Sequence, residues 1–159
     1  MRKSELNQII VLCLILLAIM GFESLIVRGS MDWYKGLEKP VFNPPGWVFG
    51  PVWTILYVFM GISFFIIWRK GAASSPIVKT AVVCFIFQLV FNFLWTPIFF
   101  GLKQPLIAFG NIVILWLAVL ATVLSFLRVS KIAAALLIPY FLWVSFAAVL
   151  NAAICMMNA

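Results

Sequence analysis

Three apolar stretches of the chain carry aromatic side chains at helical spacing, and two of them also carry amides. The middle stretch contains Gln88, Asn92, Trp95 and Phe99. Their separations of four, three and four residues place them on one face of a helix. The two other stretches carry Trp53 and Tyr57, and Tyr140, Trp143 and Asn151. If these faces converge, they enclose an apolar cavity with a few polar anchors, which is the usual composition of a small-molecule site.

Packing is the competing interpretation of these aromatic residues. Tryptophan and tyrosine are common in the aromatic belt at membrane interfaces, and aromatic residues at helical spacing often belong to a core. The amides argue against a belt alone, because a belt does not require Gln88, Asn92 and Asn151 on the same stripes. Trp68 and Trp116 are assigned to belt or packing, and Trp47 is left open between cavity wall and belt.

The composition predicts that lipid is the solvent of the fold. The chain has 159 residues, of which 66% are hydrophobic and 9% charged. Its mean hydropathy is +1.20, whereas soluble domains are about half apolar and about a quarter charged. Five runs have the roughly 20 apolar residues that a spanning helix needs, at about 6–27, 46–68, 77–100, 105–127 and 132–157. We expect an all-α integral membrane protein with one domain, 1–159, in which five transmembrane helices form a bundle.

The basic residues occur in short clusters between the apolar runs, which fits helix ends at a headgroup layer and not a nucleic-acid surface. With the N-terminus in the cytoplasm, the inner positions are Arg2, Lys3, Arg69, Lys70, Lys79, Arg128 and Lys131, and the outer ones are Arg28, Lys35, Lys39 and Lys103. The larger number of basic residues at the inner positions favours a cytoplasmic N-terminus.

The residues for most catalytic chemistry are missing from the sequence. It has no histidine, and Cys13, Cys84 and Cys155 form no C-x-x-C pair, so we expect no metal and no required cofactor. Hydrolysis has neither a paired carboxylate nor a serine beside a base. Glu23 is interpreted as a helix-end acid that meets Arg28 or a loop lysine, with a role in the ligand site as the alternative.

The long connection between the first two helices, about 28–45, is rich in Trp, Tyr and Pro, so we expect it to be ordered. Asn43 followed by Pro44 predicts a helix N-cap with proline in the first turn. We interpret 33–45 as a lid over the site.

Three motifs carry a family resemblance. They are Trp33-Tyr34-x-x-Leu37-x-Lys39-Pro40 with Pro44-Pro45 and Trp53-x-x-Leu56-Tyr57, then Gln88-Leu89-x-x-Asn92-x-x-Trp95-x-x-x-Phe99-Phe100, and Pro139-Tyr140-x-x-Trp143-x-x-x-Ala147-x-x-Leu150-Asn151. Together they resemble the tryptophan-rich sensory protein and translocator protein family, also called the peripheral benzodiazepine receptor family.

The resemblance implies a homodimer of five-helix bundles that binds tetrapyrroles such as protoporphyrin IX, and isoquinoline and benzodiazepine-type ligands. The pocket residues it implies are Trp33, Tyr34, Pro44, Trp53, Tyr57, Asn92, Trp95, Trp143 and Ala147. We add Gln88, Tyr140 and Asn151 to the expected ligand-binding residues, because they lie on the same helical faces as these pocket residues. The implied function is a receptor or sensor that regulates porphyrin level or movement. Two alternatives are a light- and oxygen-dependent porphyrin-degrading enzyme that uses Trp53 and Trp143, and a porphyrin transporter.

One departure from the family bears on the ligand. Animal members have a tyrosine and an arginine after the Leu-Asn pair, whereas Leu150-Asn151 here is followed by neither. This argues against cholesterol as a ligand at this end. It also favours a bacterial member of the family, in a bacterial cell membrane.

Overall fold

The computed structural model describes residues 3–71 and 75–159, with the side chains of Lys3 and Ser4 left aside. The helices are α1 (Lys3–Gly29), α2 (Met31–Gly36), α3 (Gly46–Trp68), α4 (Pro76–Thr96), α5 (Pro105–Leu127) and α6 (Lys131–Met157), with a π-helical turn at Pro97–Gly101 after α4. Five of them are long and apolar enough to cross a membrane: α1, α3, α4 with its π turn, α5 and α6. The predicted all-α fold with five spanning helices is confirmed.

The helix ends differ from the predicted ones by a few residues. Helix α1 begins at Lys3 instead of 6 and ends at Gly29 instead of 27, because backbone hydrogen bonding continues past the apolar part that hydropathy detects. Glu5 in the added first turn lies 3.2 Å from Arg69 Nη2. Arg2 and the side chain of Lys3, which contribute to the charge bias, lie outside the described residues.

The predicted N-cap at Asn43 is wrong. Helix α3 begins at Gly46, and Pro45 precedes it with an extended ψ of 141°. A residue before proline is pushed away from helical geometry, and both Asn43 and Pro44 precede a proline. The helix therefore cannot start until the proline pair has passed.

The helices form a ring in the order α1, α3, α6, α5, α4, and the π turn at the end of α4 packs against α1. The ring encloses a core that includes Tyr57, Met60, Val119, Phe126 and Tyr140. Short connections join α4 to α5 and α5 to α6, which makes these helices antiparallel neighbours.

Pro97 changes the winding of the helix that it enters. The residues after it form the π turn, in which the Leu102 N–H donates to the Pro97 carbonyl at 2.8 Å. A π turn inserts an extra residue into the helix and re-aims the side chains beyond it. Phe99 is the buried residue of this turn.

Helices α1 and α3 approach closely at Gly61. A Cβ built on Gly61 would lie 2.8 Å from Cys13 Sγ and 3.5 Å from Cys13 Cα. A glycine is required at this point because the sulfur of the facing helix occupies the space of a side chain.

We expect Gly61→Ala to destabilise the bundle by about 1–3 kcal/mol, since overpacking at a close contact forces side chains to shift. The measurement is thermal unfolding in detergent. Gly110→Ala is the matched control, because its Cβ would meet nothing within 4 Å. Adding Cys13→Ala to Gly61→Ala removes the sulfur and restores stability. If that second substitution has no effect, the contact is not the cause.

Candidate functional site

A cavity of about 470 Å³ opens inside the ring of helices. Its walls come from α1, α3, α4 with the π turn, α5 and α6, and the lid contributes Tyr34, Asn43 and Pro44. The volume lies within the roughly 300–1,000 Å³ of small-molecule sites. Most of the lining is aromatic or aliphatic, so the few polar side chains determine how a ligand is oriented.

The cavity brings together many of the residues predicted from the sequence. Those that line it are Tyr34, Pro44, Trp53, Asn92, Trp95, Trp143, Ala147 and Asn151. Trp33, Tyr57, Gln88 and Tyr140 are not part of the lining. Trp33 packs edge-on against Phe99, with ring centroids 5.8 Å apart, and supports the lid from outside the cavity.

The three predicted residues that lie behind the wall form a chain of buried hydrogen bonds. The Tyr57 hydroxyl lies 2.7 Å from Asn92 Oδ1, and Asn92 Nδ2 donates to the Tyr140 hydroxyl at 2.9 Å. Tyr140 in turn donates to Gln88 Oε1 at 2.8 Å. The network joins α3, α4 and α6 and fixes the orientation of Asn92, its cavity-lining member. Gln88 is 1% exposed, and its Nε2 has no partner within the described residues.

A second polar contact connects the walls near the lid. Trp95 Nε1 donates to Asn151 Oδ1 at 3.0 Å, and Asn151 Nδ2 donates to the Pro105 carbonyl at 2.9 Å. Asn151 therefore holds the tryptophan of α4 and also satisfies a carbonyl at the start of α5. The Trp95 ring stacks on Phe99 at 5.0 Å, so its position is fixed by both contacts.

The helix-end interpretation of Glu23 is wrong. Glu23 is 9% exposed, lines the cavity and lies 3.0 Å from the Tyr57 hydroxyl. Thr96 provides another side-chain hydrogen bond. Within the described residues no salt bridge to Arg28 or to a loop lysine forms. The sequence could not settle this, because the Tyr57 hydroxyl comes from a different helix.

The lid is a folded unit. The Tyr34 hydroxyl donates to Asn43 Oδ1 at 3.0 Å, and Lys39 Nζ donates to the carbonyls of Tyr34 and Leu37, each at 2.7 Å. The ammonium group therefore caps the end of α2 and also lies 4.9 Å from the centre of the Tyr34 ring. Burial raises the pKa of the Tyr34 hydroxyl above its usual value, and the hydrogen bond to Asn43 opposes this. The hydroxyl therefore remains a donor at neutral pH.

The C-terminal end of the chain fastens the lid to α6. The Glu38 N–H donates to Asn158 Oδ1 at 3.0 Å, and Asn158 Nδ2 donates back to the Glu38 carbonyl at 2.9 Å. Asn158 Nδ2 also contacts the Ile154 carbonyl at 2.8 Å. The Asn158 amide thus pairs with both the backbone N–H and the backbone carbonyl of Glu38, as a neighbouring strand would.

The remaining tryptophans lie away from the cavity. Trp47 is 76% exposed and Trp68 is 51% exposed, which places both on the lipid or interface side. Trp116 donates to Ser145 Oγ at 2.8 Å and packs between α5 and α6.

Several lining residues were missed by the sequence reasoning. Phe49 lies one helical turn before Trp53, and Thr96 lies one turn after Asn92. The four-residue spacing from Trp53 and from Asn92 could have predicted that Phe49 and Thr96 line the cavity. Arg28 also lines the cavity, although the sequence reasoning placed it among the interface cations.

The comparisons with known proteins agree with this architecture. A sequence profile of the TspO/MBR family matches residues 9–157. The chain belongs to the TspO/MBR family. It is 44% identical over 132 residues to the tryptophan-rich protein TspO of Archaeoglobus fulgidus, which covers 83% of this chain and 84% of that protein.

Two further relatives cover similar lengths. Identity is 42% over 149 residues with the tryptophan-rich protein TspO of Chlorobaculum tepidum, over 92% of this chain and 94% of the relative. It is 37% over 129 residues with the translocator protein of Homo sapiens, over 80% and 76%. Family membership and the spanning helices identify an integral membrane protein. The bacterial source and the cytoplasmic N-terminus stay predictions.

We expect Asn158→Ala to loosen the lid, because both hydrogen bonds to Glu38 are lost. Trypsin cleaves after the exposed Lys35, whereas Lys39 is followed by Pro40 and resists cleavage. Cleavage after Lys35 in detergent should be about fivefold faster, as two hydrogen bonds of modest net strength imply. Asn158→Asp keeps the acceptor for the Glu38 N–H and should give a smaller increase.

Cleavage after Lys103, which lies between the π turn and α5, is the internal reference for these digests. Equal acceleration at both sites would indicate general unfolding and would contradict a local role of Asn158.

Proposed function

We propose that this protein is a membrane receptor or sensor that binds tetrapyrroles such as protoporphyrin IX in the cavity and regulates porphyrin level or movement. The observation that carries the proposal is the lining itself, in which Trp53, Trp95 and Trp143 surround an apolar space beside the amides of Asn92 and Asn151. Relatives bear the names tryptophan-rich sensory protein, in Cereibacter sphaeroides, and translocator protein, in Homo sapiens.

The lining suits a large, flat aromatic ring. Offset and edge-on contacts between aromatic rings add to the free energy of area burial, and several cavity rings already meet in this way: Phe49 lies edge-on to Trp143 at 5.8 Å. Arg28 provides a guanidinium group for a carboxylate of the ligand. Isoquinoline and benzodiazepine-type compounds, being aromatic and mostly apolar, belong to the same proposal.

The test is quenching of tryptophan fluorescence by protoporphyrin IX in detergent. The double variant Trp53→Phe, Trp143→Phe should raise the Kd about fivefold or more, because two ring contacts with the ligand shrink. Trp47→Phe, Trp68→Phe is the matched control, since both residues are exposed and outside the lining. An identical Kd in the two double variants would exclude the cavity as the porphyrin site.

Photo-oxidative degradation of the porphyrin is a second candidate. It is supported by the position of Trp53 and Trp143 in the same lining, where either indole can donate an electron to a photo-excited ring. Tyr57 lies behind Trp53, with ring centroids 5.6 Å apart.

Illumination of the complex in air should then bleach the porphyrin absorption bands faster than it bleaches free porphyrin in the same detergent. The double variant Trp53→Phe, Trp143→Phe should lose that acceleration even when the porphyrin is at saturating concentration. Bleaching at the rate of free porphyrin would reject the enzyme and leave the receptor.

The homodimer, the absence of a required cofactor, and the exclusion of cholesterol and nucleic acid as partners stay predictions. Transport of the porphyrin uses the same cavity, and uptake into sealed proteoliposomes separates it from sensing.

A further inference from the structure

Glu23 places a carboxyl group in the cavity lining, and the proposed porphyrin site assigns no role to it. Among the described residues that line the cavity, Glu23 is the acidic one and Arg28 the basic one. Glu23 is 9% exposed, and the lining of the same cavity includes the apolar side chains of Met20, Trp53 and Trp95. A carboxyl group in such surroundings requires hydrogen bonds or a cation.

The hydrogen bonds to Glu23 from the protein are incomplete. The Tyr57 hydroxyl lies 3.0 Å from Glu23 Oε2 and 2.7 Å from Asn92 Oδ1, but it has a single hydrogen to donate. Asn92 Nδ2 is already used by Tyr140. If Tyr57 donates to the nearer oxygen, that of Asn92, the donor left for Glu23 is Thr96. An ionised carboxyl group offers about four acceptor sites, so it retains capacity for a donor that enters from the cavity.

Among the described residues, no cationic side chain forms a salt bridge with the Glu23 carboxyl group. The salt bridges of the described residues join Lys35 to Asp32 and Arg69 to Glu5, and neither includes Glu23. Arg28 lies five residues further along α1, about 7.5 Å along the helix axis. It is exposed, and among the described residues it forms no salt bridge with Glu23.

We infer that Glu23 makes the cavity a binding site for aromatic ligands that carry a protonated amine or another cationic N–H donor. The ammonium group of such a ligand would donate to the Glu23 carboxylate, and its ring system would lie among the tryptophans. A charge-assisted hydrogen bond in an apolar cavity is stronger than one between neutral groups. This site shares the cavity with the proposed porphyrin site, but the inference does not depend on porphyrin binding.

Arg28 would orient this class of ligand. A cation entering past the guanidinium group is repelled by it and attracted by the carboxylate. The preferred pose therefore places the ammonium group at Glu23 and the apolar ring toward the other walls. A carboxylate ligand would have the opposite preference.

The experiment compares two probes that differ in one functional group, 1-pyrenemethylamine as its ammonium ion and 1-pyrenemethanol. Energy transfer from tryptophan to pyrene in detergent gives the Kd of each, with protein-free micelles as the baseline for partitioning. Wild-type protein should prefer the ammonium ion. In Glu23→Gln this preference should fall roughly tenfold or more while the Kd for the alcohol stays unchanged.

Glu38→Gln is the matched control, because it makes the same chemical change at an exposed lid residue outside the lining. It should keep the wild-type preference. Unchanged binding of the alcohol shows that Glu23→Gln is folded. If that variant loses the alcohol as well, Glu23→Asp, which keeps the carboxyl group, becomes the test variant and should still favour the ammonium ion.

The inference is overturned if wild-type protein shows no preference for the ammonium ion beyond that of empty micelles. It is also overturned if Glu23→Gln keeps the full preference, or if Glu23→Asp binds the alcohol and does not favour the ammonium ion. Porphyrin titration of the same preparations is a separate measurement, so a failure of the porphyrin proposal is distinguished from a failure of this one.

Discussion

The bundle depends on the hydrogen bonds that converge on Asn92. The Asn92 side chain, on α4, accepts a hydrogen bond from the Tyr57 hydroxyl of α3 and donates one to the Tyr140 hydroxyl of α6. In lipid, apolar surface gives helices little reason to associate, and close packing with polar contacts specifies which faces meet. Leucine and isoleucine side chains face lipid as readily as they face another helix. The buried hydroxyls and amides do not, and for that reason they set the rotation of each helix about its axis.

The same network fixes how the Asn92 amide is presented to the cavity. Asn92 lines the cavity, whereas Tyr57 and Tyr140, which hydrogen-bond to its amide, lie behind it. The wall is therefore built in two layers, with the Asn92 amide in front and the hydroxyls of Tyr57 and Tyr140 and the amide of Gln88 at the back. A change in the back layer would act on ligands through the orientation of Asn92 without touching them. Such residues are positioning residues of the site.

Much of this architecture was predictable from the sequence, because long apolar runs determine the number of spanning helices and four-residue spacing determines their faces. The limits appear where two helices interact. The spacing grouped Tyr57 and Tyr140 with cavity residues, although the structure places both behind the wall. Periodicity gives the face of a helix, but it does not give the depth of a side chain in the bundle. The predicted N-cap at Asn43 was wrong for a different reason. Asn43 and Pro44 each precede a proline, which disfavours helical backbone geometry, so α3 begins only at Gly46.

Glu23 illustrates the same limit for charge. Near the end of an apolar run, an acid can reach the headgroup layer, and Arg28 on the same helix was a plausible partner. What decides between the interface and the interior is the rotation of α1 about its axis. In the structure α1 packs against α3, where the Tyr57 hydroxyl lies 3.0 Å from Glu23 and Gly61 lies against Cys13. The partners that hold the carboxyl group at the cavity therefore come from other helices, Tyr57 from α3 and Thr96 from α4. The polarity of the site is therefore a consequence of helix packing that no single segment of the sequence contains.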